Sequence, residues 1–156
     1  MIRALVLLVT HGLALAAGFA GGIYALPILT APPPPDAAAL RAAMDGAAFR
    51  ATLDRDLPGT DALHWGEGTV AVSPERIAHE GRLAPGPDYK LYLTPGVVGD
   101  EAGFAAVREA SVRVGDVRGF DGFVLDVPPG VDVAAYGAVL IWCEAFGEFI
   151  AAGAYR

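Results

Sequence analysis

The 156-residue chain has a single cysteine, Cys143, so no disulfide closes within it and no paired-cysteine zinc or redox motif is present. Positive charge is scarce. Eleven Lys and Arg face eighteen Asp and Glu, for a formal net charge of -7. Nucleic-acid binders need a basic footprint, and no nucleic-acid partner is expected here. There is no Walker-type phosphate loop, no G-x-S-x-G elbow, no G-x-G-x-x-G after a strand and no Cys-x-x-Cys-His haem attachment. Those gaps argue against a standard hydrolase or nucleotide enzyme, and nothing calls for a cofactor. Charge of either sign is missing altogether between Ala4 and Leu29.

What is present is apolar: 54% of the residues are hydrophobic, too many for a disordered chain. Twenty Gly and twelve Pro imply many turns and short elements. The uncharged run Ala4–Leu29 is 26 residues long. About 20 helical residues cross the roughly 30 Å hydrocarbon core of a bilayer, so this run is long enough to span. Arg3 precedes it and acidic residues follow it, which predicts a cytoplasmic N-terminus and an inner-membrane, single-pass protein with its domain in the periplasm. The competing reading is a cleaved signal peptide ending near Ala14-Leu15-Ala16, which leaves Gly18–Leu29 as an apolar stub. Ala14, Gly18 and Gly22 form a small-residue row suited to an anchor-mediated homodimer, or simply to a membrane helix. His11 is an ionisable group within the run, either functional or a neutral imidazole near the interface.

Residues 1–30 thus read as an anchor, 31–60 as a Pro-rich linker with a short helix, and 61–156 as a β-domain. Pro27 and the tract Pro32–Pro35 are expected to end the membrane helix. Asp36 suits an N-cap, and the good helix formers from Ala37 to Arg55 predict a juxtamembrane helix lying on the domain or the bilayer. From Asp61 onward, short alternating or apolar runs predict strands at 68–73, 76–80, 89–94, 111–117, 122–127, 138–143 and 148–155, with a local helix over 100–110. Short strands at such spacing point to a mainly β fold, a β-sandwich or partly closed antiparallel barrel of about 95 residues.

Three clusters carry chemistry. Asp61-Ala62-Leu63-His64-Trp65-Gly66-Glu67 gathers acids, an imidazole and an indole. It reads as a proton-transfer or metal site, or as a turn in which Asp61 and His64 bond the backbone. His64 and His79 make a metal pair if the intervening strands form a hairpin, although no ligand motif supports it. Trp142-Cys143-Glu144 closes a strongly apolar strand. Cys143 is either a buried small hydrophobe or a redox thiol. Arg108, Arg113 and Arg118 are candidates to stabilise its thiolate, whereas a close Glu144 opposes it.

Several segments together resemble the DM-thirteen domain, the module also found in Skeletor-type animal proteins. They are His64–Val70, Leu83–Leu93, Val112–Val117 and Tyr136–Phe149, the last containing Val139-Leu140-Ile141-Trp142-Cys143-Glu144-Ala145-Phe146. The anchor ending Tyr24-Ala25-Leu26-Pro27-Ile28-Leu29 is similar to that of bacterial single-pass members. The resemblance implies a β-sandwich-like domain with a near-C-terminal cysteine, matched by Cys143. It also implies a role in electron transfer, proposed for the family because animal members adjoin DOMON and b-type cytochrome domains. No such segment lies in these residues, so a redox partner is expected to be a separate protein. A lone thiol then cycles through a sulfenic acid, a mixed disulfide or an intermolecular disulfide. In this reading Cys143 is the redox thiol, His64 its proton partner and Trp142 its shield. The alternative is a binding or envelope-scaffold module with Cys143 in the core.

Overall fold

A computed structural model describes all residues, Met1–Arg156. The uncharged run forms α1 (Ile2–Thr30), with no buried residue along its length. A helix this long and apolar has the dimensions of a single membrane span. His11 Nδ1 donates to the Leu7 carbonyl one turn back (2.8 Å), which satisfies it within the helix. Pro27 does not end α1, as expected from its missing N–H. The helix continues to Thr30 and stops at Ala31, whose φ of -57° and ψ of 136° lead into the four prolines.

Asp36 caps α2 (Ala37–Asp45), accepting from the N–H groups of Ala38 (2.9 Å) and Ala39 (3.1 Å). The helix expected to run to Arg55 ends ten residues earlier by one turn at Gly46, and Phe49–Leu53 is a strand, β1. The remaining strands are β2 (Gly66–Val72), β3 (Arg76–Leu83), β4 (Tyr89–Thr94), β5 (Val112–Val117), β6 (Phe123–Asp126), β7 (Ala138–Cys143) and β8 (Glu148–Ala154). The short helix α3 (Glu101–Val107) and a further 3-10 turn to Ala110 fill the segment read as locally helical.

The strands make two antiparallel four-stranded sheets, ordered β1-β2-β3-β6 and β5-β4-β7-β8. Their facing sides share one core that includes Val70, Ile77, Leu91, Leu93, Val139 and Ile141. Each such buried side chain is worth about 1.5–3 kcal/mol over its exposed state. The outer sides are covered too. Met44 of α2 sits on Ala71 and Ala78 of the first sheet, which answers where the juxtamembrane helix packs. Phe104 of α3 sits on Tyr92, Leu140, Trp142 and Phe149 of the second. The mainly β, sandwich-like expectation therefore holds, with an apolar helix and a short helix ahead of it.

One close approach depends on glycine. Gly68 and Gly81 face each other across β2 and β3. A Cβ on Gly81 would lie 2.0 Å from the Glu67 carbonyl oxygen and 2.8 Å from His79 Nε2. That vacancy lets the fully buried His79 ring donate from Nε2 to the same carbonyl (2.9 Å).

Candidate functional site

β7 alternates its side chains between two environments. Val139, Ile141 and Cys143 enter the core between the sheets, while Leu140 and Trp142 face α3. Cys143 ends this strand, paired with Tyr89 of β4 and with Glu148 of β8. The turn that follows closes with Gly147 N–H donating to the Cys143 carbonyl (2.9 Å) and Gly147 at φ 68°.

Only 3% of Cys143 is exposed, yet it lines a cleft of about 360 Å³ at the edge of the core. His64, Leu63, Tyr89, Phe146 and Glu148 line the same cleft, and Ala20, Ile23 and Tyr24 of α1 form its far wall. Burial pushes the Cys143 thiol up from its ordinary value, against the downward pull of the backbone N–H groups of Phe146, Asp88 and Ala145. Burial also raises Tyr89, and a charge on Cys143 adds to that rise.

His64 reaches the cleft from the loop before β2. Asp61 organises that loop. Its Oδ1 accepts from the N–H groups of Leu63 (2.6 Å) and His64 (2.7 Å), and its Oδ2 accepts from His64 Nδ1 (3.0 Å). The Leu63 N–H and the His64 ring hold the Asp61 carboxyl below its ordinary value. With Nδ1 donating, a neutral His64 keeps Nε2 as a proton acceptor. The turn reading and the proton-transfer reading of this segment are therefore compatible. Trp65 lies under the Arg55 guanidinium (4.1 Å to the ring centroid).

The structure thus brings Cys143 and His64 to one cleft and leaves Trp142 out of it. Trp142 is buried on the opposite face, its ring 4.8 Å from that of Phe104, and its Nε1 has no protein partner. The three arginines considered for the thiolate are engaged elsewhere. Arg108 Nη2 donates to both Glu144 oxygens (2.9 and 2.8 Å), and Arg113 and Arg118 pair with Asp116. Tyr92 also donates to Glu144, so that carboxylate is turned to the α3 side of the sheet, away from the thiol. Asp88 is the acid felt by Cys143. Period-two alternation carries the signal for Trp142 and Glu144. Nothing in the sequence placed Asp88.

His79 is turned into the core beside Phe123 (5.2 Å between ring centroids), and burial lowers its pKa. The hairpin expected to join it to His64 does form, but no three His, Cys, Asp or Glu side chains come together as a metal site.

No curated protein and no solved structure matches the chain. Residues 59–155 match the family described as Electron transfer DM13. That match contains seven of the eight strands, the Asp61–His64 loop and Cys143, and leaves out only β1, α1 and α2. Covering well over half of the sequence, from the loop that carries His64 to the strand that follows Cys143, it shows that the chain belongs to the DM13 family.

Proposed function

We propose that this protein is a membrane-anchored, extracytoplasmic electron-transfer accessory whose redox group is Cys143. The observation that carries the reading is the shared cleft of Cys143 and His64. The raised thiol holds little thiolate at neutral pH, so its use requires a base, and the Asp61-oriented His64 is the imidazole that supplies one.

The step we assign is thiol–disulfide exchange with a separate protein. His64 takes the Cys143 proton, and the thiolate attacks one sulfur of the partner's disulfide. The Cys143–partner S–S bond forms as the partner's own S–S bond breaks. The departing thiolate takes the proton from His64. One thiol of a second partner's dithiol then attacks the Cys143 sulfur of the mixed disulfide, and the first partner leaves as a dithiol, taking the attacking thiol's proton. The second partner's remaining thiol attacks its own sulfur in the new mixed disulfide, closes its disulfide and returns its proton to the departing Cys143 thiolate. The electron pair passes from the second partner to the first, and this chain is unchanged. Arg3 ahead of α1 and the acidic domain behind it support an outward-facing domain. An oxidising compartment also supplies disulfides as oxidants.

A second reading rests on the 3% exposure and raised pKa of Cys143. In it the thiol is core and the domain is a binding or scaffold module. Cys143→Ser separates the two. The hydroxyl costs about 1–3 kcal/mol in a buried site under either reading. Under the redox reading the variant also loses all disulfide-linked partner adduct in membranes under conditions where it remains folded. Undiminished partner adducts with Ser at this position contradict the redox role.

A further inference from the structure

C-terminal to α1 the chain exposes three large apolar side chains, Leu63 (59%), Val97 (52%) and Phe146 (55%). Two of them, Leu63 and Phe146, stand together at the Cys143 cleft, on opposite sides of the sequence from one another but against the same stretch of α1. That stretch is Ala20, Ile23 and Tyr24. A hydrocarbon core of about 30 Å takes up about 20 helical residues at 1.5 Å each. Counted from Ala4, the first residue after Arg3, twenty residues end at Ile23. Tyr24 then falls where tyrosine gathers, at the lipid–water boundary.

We infer that the Leu63–Phe146 rim is seated in the headgroup region of the bilayer, so that the Cys143 cleft opens at the lipid boundary and not into bulk water. The inference rests on α1 being a membrane span. It is continuous with that span, because the apolar helix face and the apolar rim enclose one cleft. The seating is apolar in character. His64 is the one basic side chain lining the cleft and Glu148 the one acid, so attraction to anionic lipid contributes little. Pro87 lines this cleft and also a neighbouring groove with Gly18, Gly22 and Ile23, so the domain leans on α1 along its outer turns.

The test uses the full chain in phosphatidylcholine vesicles whose acyl chains carry bromine near the headgroup. Four variants, Phe146→Trp, Leu63→Trp, Phe19→Trp and Val97→Trp, are compared with the parent protein, and the emission each adds over the two native tryptophans is followed. Phe146→Trp and Leu63→Trp are expected to lose most of that added emission relative to unbrominated vesicles, equally at low and high salt. Phe19→Trp, within the span, is expected to lose it as well, and Val97→Trp to keep it. Quenching of Phe19→Trp with none at Phe146 and Leu63 overturns the inference and leaves the anchor standing. An unquenched Phe19→Trp overturns both. Unquenched Phe146→Trp that cross-links to a second copy also overturns it and assigns the rim to self-association.

Discussion

His64 and Cys143 line one cleft although they come from opposite ends of the domain, the loop before β2 and the last residue of β7. Asp61 holds the histidine, with its Oδ2 3.0 Å from His64 Nδ1. In the mechanism we propose, Asp61 orients His64 and His64 serves as the base that a thiol raised by burial needs.

The first prediction concerns that base. His64→Gln is expected to slow formation of a Cys143 mixed disulfide with a small disulfide by about a hundredfold at neutral pH, the lower end of general-base effects. Asp61→Asn should slow it too, because the amide NH2 that replaces Oδ2 faces His64 Nδ1 and favours the tautomer protonated on Nε2, while the loop's backbone bonds survive through the remaining amide oxygen. Unchanged rates in both variants, measured by mass spectrometry against time, exclude His64 from the reaction.

Trp142 serves as a control on the other face of the same strand. Trp142→Phe removes a buried N–H without a protein partner and shortens the contact with Phe104. These effects oppose each other, and the net change is expected within about 1 kcal/mol in denaturant unfolding. Its Cys143 reaction rate should equal that of the parent. A changed rate at unchanged stability shows that the indole acts on the thiol after all.

His79 gives a stability prediction with a definite sign. Burial lowers its folded pKa beneath the ordinary 6.5, so the unfolded chain binds the proton first as pH falls. Its contribution is complete above pH 6.5 and is lost as pH falls through the folded value, with a slope of at most about 1.4 kcal/mol per pH unit. His79→Gln keeps a donor for the Glu67 carbonyl and should remove that part of the slope. Parallel pH–stability curves for the two proteins contradict the assignment.

Much of the sandwich is legible in the sequence. Tyr89–Thr94 alternates cleanly, and Ala138–Cys143 is a continuous apolar run buried on both faces, so both strands stand where the pattern puts them. β1 is different. Phe49 and Leu53 fit an i, i+4 helical pair as well as a strand face, and Ala, Arg and Leu favour helix. Pairing with Val72 through Gly68 of β2 decides for strand by burying Ala51 and Leu53. Pro27 misleads for a related reason, since a single lost hydrogen bond does not end a 29-residue helix. The site is less legible than the fold. That Trp142 and Cys143 face opposite ways follows from the two-residue period. That His64 meets Cys143 depends on how two sheets stack, which no local pattern encodes.

The central claim is that the buried thiol is a working group, and the pH dependence of its reactivity in the folded, membrane-embedded chain tests this most directly. The measurement is the rate of Cys143 alkylation between about pH 6 and 9, set beside the rate of global unfolding. The account predicts reaction that outpaces unfolding, climbs throughout this range and drops in His64→Gln. A thiol that reacts only as fast as the domain unfolds, at every pH and with or without His64, contradicts it.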